Sequence, residues 1–204
     1  MNATPNNALQ RTPAAAPPAP LSFKTFGHGK AVLPSVIAFA VAALACGQQP
    51  WLRMESKGGR FAVSMPGRPT DSTKHVNASY GPVEVHISAV SLGDTAFVVM
   101  YSDYPSEYLK AQDSKAILDD ARDGAVANTQ GTLLSELLIT RDGNPGRDIK
   151  ISVAEGKATS QDRLVLVGRR LYQLIVVTTV SRSNSPAIER FRDSFELLPG
   201  QSTK

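Results

Sequence analysis

The chain has 204 residues, with 22 Lys and Arg against 18 Asp and Glu, and one cysteine. A single cysteine excludes an internal disulfide and a thiolate metal cluster. Residues 1–45 hold Arg11, Lys24 and Lys30 and no acid, which leaves 19 basic and 18 acidic residues for the remainder; that even balance excludes the clustered basic face of a nucleic-acid binder.

The first 20 residues are rich in Asn, Ala and Pro and have no apolar period, so they are expected to be disordered. They are also expected to precede the true start, with Leu21–Lys30 serving as a short basic region. Ala31–Ala45 is the chain's one long apolar run. At 15 residues it is short for a spanning helix, which needs about 20, and suits the apolar core of an export signal. It ends Ala43-Leu44-Ala45 in front of Cys46. Small residues there resemble a bacterial lipoprotein signal, with cleavage after Ala45 and lipid on Cys46. Ala43 stands where that signal commonly has Leu, so ordinary cleavage or an uncleaved anchor stays open. Each reading places the rest of the chain in the bacterial cell envelope, lipid-anchored or periplasmic.

Residues 46–59 are polar and glycine-rich around Trp51 and Leu52 and are expected to form a tether. A single domain is expected over 60–198, with 199–204 as a tail. Phe61, Val63 and Met65 alternate with small residues and stop at Pro66-Gly67, which predicts a first strand. Asp71–Ala78 and Val83–Leu92 form a hairpin about the turn 79–82. Thr95–Asp103 is apolar on both faces and reads as a central strand. Ser114–Asn128 is a helix capped by Asp113 or Ser114, with Ile117, Leu118, Ala121 and Ala125 as its buried stripe and Asp119, Asp120 and Asp123 toward water. Four strands follow, at Thr132–Arg141, Gly146–Val153, Lys157–Val167 and Arg170–Thr179. The last of these is the most apolar and is expected at the centre. Ser185 and Pro186 start a final helix that packs Ile188, Phe191 and Phe195 onto the sheet. Tight turns between strands mean an antiparallel sheet. The fold class is therefore α+β: four strands, a helix, four strands and a helix, with seven or eight strands in the sheet.

Phe61-Ala62-Val63-Ser64-Met65-Pro66 and Phe191-Arg192-Asp193-Ser194-Phe195 are similar to the first strand and last helix of the PsbP/Mog1-like family, and the order of elements over 60–198 resembles that fold. Gly67-Arg68 stands where the family often has Trp. The resemblance implies a domain that binds or assembles rather than catalyses.

With the turn centred on Tyr80 and Gly81, His75 faces His86 across the hairpin at about 5 Å. Two imidazoles at that distance are candidate ligands for Zn²⁺ or Cu²⁺, with Asp71 or Glu84 as a third. No serine lies in a strained-turn motif and no other histidine lies beyond residue 45, so a hydrolase lacks its parts. Arg141, Arg147, Lys150, Arg163, Arg169 and Arg170 are interleaved with acids and read as mixed charge. Tyr104 and Tyr108, beside Tyr101 and Pro105, form a candidate interaction surface; their alternative role is to staple the helix start. The reading taken is an exported, membrane-tethered domain of binding or assembly type, not an enzyme, with no cofactor. Its partners are the membrane and an unidentified protein, and nucleic acid is excluded. The alternatives are a periplasmic small-ligand or metal-binding protein built on His75 and His86, or a hydrolase.

Overall fold

The computed structural model describes residues 50–78 and 80–199. The expectations for residues 1–45, including Ala45, and for Cys46 lie outside the described residues. Among the described residues no helix is long and apolar enough to cross a membrane.

Ten strands and three helices follow in the order β1 (Trp51–Ser56), β2 (Phe61–Pro66), β3 (Thr70–Ala78), β4 (Gly81–Leu92), β5 (Thr95–Asp103), α1 (Ser106–Ala111), α2 (Ser114–Asn128), β6 (Thr132–Arg141), β7 (Asn144–Val153), β8 (Ala158–Val167), β9 (Arg170–Thr179), α3 (Pro186–Asp193) and β10 (Glu196–Leu197). Seven strands make one antiparallel sheet in the order β3-β4-β5-β9-β8-β7-β6. The apolar β9 sits in its middle, as its sequence predicts. The α+β class with helices packed on an antiparallel sheet is the architecture observed.

Two expectations change. Residues 51–56 are not tether: they form β1, which pairs with β2 from Trp51 opposite Pro66 to Ser56 opposite Phe61. Met54 and Trp51 pack on the core there, so burial of apolar side chains outweighs the polar composition of the segment. The strand Phe61–Pro66 also leaves the main sheet. It lies between β1 and β10 in a small three-stranded sheet, which together with α3 covers one face of the large one.

Strand alternation assigns the side chains to two cores. Phe97 and Val99 of β5 and Tyr172, Leu174 and Val176 of β9 point to the covered face, where they meet Phe61, Val63, Met65, Ile188, Phe191 and Phe195. Each such side chain taken fully from water contributes about 1.5–3 kcal/mol. On the opposite face α2 lays Ile117 and Leu118 over Ile149 and Ile151 of β7 and Leu164 of β8. Asp113 caps α2 by accepting from the Ala116 amide at 2.7 Å. Beyond α2 this second face is open: Val85, Ile87 and Ala89 of β4 and Met100 of β5 are only half-buried.

Turn chemistry sets the registers. Asp142 and Gly143 both have positive φ, 50° and 77°, the pairing that a two-residue hairpin between β6 and β7 requires. Gly146 has a different constraint. A Cβ there would stand 2.4 Å from the Leu164 carbonyl oxygen, so β7 and β8 close only without a side chain. At the β3–β4 hairpin, Gly81 takes φ 111° and pairs directly with Ala78. The turn is therefore shorter than the four-residue one read from the sequence, and it is centred one residue earlier.

Candidate binding surfaces

That shift decides the histidines. His75 pairs with Glu84, and Thr73 pairs with His86. The two imidazoles are two positions out of register rather than opposite. His86 instead stacks on Tyr101, with ring centroids 4.5 Å apart and planes at 18°. Its Nε2 lies 3.2 Å from Glu84 and its Nδ1 3.3 Å from the Thr73 hydroxyl. Both ring nitrogens are thus engaged with neighbours on the hairpin. Among the described residues no group of three or more His, Cys, Asp or Glu could hold a metal ion, which corrects the expected pairing of His75 and His86 with Asp71 or Glu84.

Tyr104 and Tyr108 are also corrected. Tyr104 is buried, and both rings pack with Tyr80 from the β3–β4 turn, at 5.1 and 4.5 Å. The Tyr108 hydroxyl donates to Asp120 at 2.5 Å. Burial pushes the ionisation of both phenols above the ordinary tyrosine range. The pair staples α1 and α2 to the sheet, with Tyr104 buried and Tyr108 half-buried.

Of the acidic residues of α2, Asp120 and Asp123 are exposed as expected, and Asp119 alone is drawn inward. Asp119 and Glu136 of β6 together hold Arg147 of β7, which is 3% exposed. Arg147 also donates to the Lys115 carbonyl at 3.3 Å. Arg122 joins the cluster through Glu136 at 3.0 Å and Asp123 at 2.8 Å. The ammonium of Lys115 first, then the Arg147 guanidinium, holds the Asp119 carboxyl below its usual range. Three other arginines follow the same rule. Arg163 reaches Asp148 and Asp193, Arg170 reaches Asp103, and Arg141 donates to the carbonyls of Asp193 and Phe195 at the end of α3. These cations serve internal geometry, in line with the mixed-charge reading.

One buried acid forms no ion pair among the described residues. Asp162 of β8 is buried, and its carboxylate accepts from the Ser160 hydroxyl at 2.5 Å. Burial pushes its carboxyl up to about 7. Asp162 lines neither of the two clefts at Trp51 and at His86.

Two surfaces stand out among the described residues. The first is β6, an edge strand bonded only to β7. Leu134, Leu137 and Leu138 are 54%, 63% and 69% exposed, and the outer main-chain groups of the strand have no neighbouring strand. Sequence reading identified this segment as a strand but not as an edge. The doubled leucines, apolar on both faces, fit a central strand equally well.

The second is a cleft of about 450 Å³ at the sheet end where β1 begins. Trp51, Phe97, Leu92 and Ile188 form its apolar wall, and Arg182 and Arg190 stand at its rim. The Arg190 guanidinium lies 4.4 Å above the Trp51 ring. This site was missed because residues 46–59 were read as tether.

No family model and no curated protein matches the chain in sequence. In structure it is similar to cyanobacterial PsbP (CyanoP) from Synechocystis sp. PCC 6803, at 12% identity and a TM-score of 0.52, with 76% of this chain and 97% of that chain covered. A protein of unknown function, PA94 from Pseudomonas aeruginosa, aligns at 15% identity and a TM-score of 0.41, with 67% of this chain and 100% of that chain covered. The sheet order, the flanking helices and the likeness to CyanoP together give the described domain the PsbP-type, Mog1-like fold.

Proposed function

We propose that the protein is an exported, membrane-tethered envelope domain whose work is to bind or assemble with another protein, without catalysis. The observation that carries this reading is the β6 edge. An edge strand with three exposed leucines is a template for strand addition. Its main-chain groups supply hydrogen bonds to an incoming strand, and the leucines supply apolar contact on both faces. Arg147, Arg163 and Arg170 are spent on internal ion pairs rather than on an open site. The PsbP-type fold supports the same reading by analogy. The export and tether rest on the apolar run before Cys46.

Fractionation tests the location, and affinity capture tests the assembly. The full chain is expected in the membrane fraction, and the C46A variant is expected to be released from it. A protein partner captured through the wild-type chain is expected to be lost with L137K/L138K. Recovery of the wild-type chain from cytosol would overturn the envelope reading. Capture that is indifferent to both lysines would overturn the role of β6.

A further inference from the structure

We infer that the cleft beside Trp51 is the membrane-facing end of the domain and docks on the anionic headgroups of a phospholipid bilayer. The inference rests on the tethered reading above and deepens it. Four residues lie between Cys46 and Trp51, and the steps between them reach at most about 18 Å of extended chain. An anchor at or before Cys46 therefore holds the start of β1, and not the β6 edge, against the bilayer.

The chemistry at that end suits an anionic, amphiphilic surface. Trp51 is half-buried, and rings of this kind favour the boundary between hydrocarbon and headgroup. Leu52 and Val180 are 42% and 51% exposed. Arg190 rests on Trp51 and pairs with no carboxylate among the described residues, whose neighbouring acid Glu189 is taken by Arg192 at 2.6 Å. Arg182 and Lys157 stand at the same end, with Asp94 3.3 Å from Arg182 and Glu155 3.6 Å from Lys157 as local acids. An exposed pair of this kind contributes little and yields to a denser anion. The cleft, at about 450 Å³, falls within the range of small-ligand sites and accepts a phosphate headgroup against its arginine rim.

Trp51 is the chain's only tryptophan, so its fluorescence reports on this site alone. The full chain is reconstituted into vesicles of phosphatidylcholine, with or without phosphatidylglycerol, each containing brominated lipid. Flotation measures anchoring and quenching measures docking. The expected result is flotation with both vesicles and several-fold stronger quenching where phosphatidylglycerol is present. The R182A/R190A variant is expected to float equally while its quenching falls to the phosphatidylcholine level. Flotation with equal quenching in both vesicles overturns the inference and leaves the tether standing. Failure to float overturns the tether and the docking with it. A Trp51 response to free glycerol phosphate that matches the vesicle response replaces bilayer docking with a soluble-anion site.

Discussion

The main sheet has two edges, and they are built in opposite ways. Along β3 the chain reads Thr70-Asp71-Ser72-Thr73-Lys74-His75, and all six residues are exposed and polar. Asp71 accepts from the Ser88 hydroxyl at 2.5 Å, and Lys74 and His75 place charge and bulk along the strand. That composition blunts an edge against stray pairing. Along β6 the exposed positions include Leu134, Leu137 and Leu138, and only Glu136 is acidic. Glu136 is held inward by Arg147 and Arg122, so it does not guard the rim. The β3 edge is thus guarded against pairing with a further strand, and the β6 edge is not.

The largest loss expected in that contrast follows removal of what holds β6 in place. R147A removes the buried guanidinium between Asp119 and Glu136 and leaves these two partly exposed carboxylates with Arg122 alone. It is expected to lower stability by about 3 kcal/mol, as for a broken buried ion pair. Urea unfolding would show it, and a loss below about 0.5 kcal/mol would mean that β6 does not depend on the clamp.

Between the two edges lies Asp162, two strands behind β6. Its folded carboxyl titrates near 7, above the ordinary value of 3.8. Below pH 4 both states bind the proton and Asp162 contributes nothing. Between pH 4 and 7 the unfolded chain ionises first, so stability falls as pH rises and stays lower above 7. D162N removes that fall. It is expected to be more stable than wild type by about 4 kcal/mol at pH 8 and equal to it at pH 3.5. Parallel pH profiles for the two proteins would count against the buried neutral acid.

At the β6 rim the expected change is in association, not stability. L137K/L138K leaves unfolding within about 0.5 kcal/mol of wild type, as exposed positions allow, while partner capture is lost. The β3 side gives the smallest effects. H86A removes the ring stacked on Tyr101 and is expected to cost about 1 kcal/mol, whereas exposed H75A should cost less than about 0.5 kcal/mol. Titration calorimetry should register no stoichiometric Zn²⁺ heat, and a one-to-one heat lost in both variants would restore a shared histidine site.

Much of the fold was legible, because alternation and turn residues act locally. The same alternation that put Ile149 and Ile151 under α2 also put Arg147 there, and that was the available sign of a buried cation. Other features depend on distant partners. Trp51–Ser56 is a strand because β2 and Phe97 receive it, and its own composition reads as linker. The β6 leucines announce a strand, but which strand becomes an edge depends on the sheet order. The histidine register turned on one residue, Gly81, whose positive φ shortened the turn. Among candidate sites, those argued from spacing within one hairpin or loop moved. The surfaces that emerged instead, the β6 edge and the Trp51 cleft, are made by elements far apart in sequence.

The β1–β2 pair also has a mechanical meaning. Trp51 meets Pro66 at the open end of this hairpin, and the turn lies at its far end. A pull from the N-terminal side therefore loads one rung at a time and peels β1 off like a zip, rather than shearing six rungs together. The seven-stranded sheet stays out of the line of force. Releasing the six residues of β1 lengthens the reach by about 20 Å while the main sheet holds, so the first strand acts as a short length of slack between the domain and whatever holds its N-terminal side.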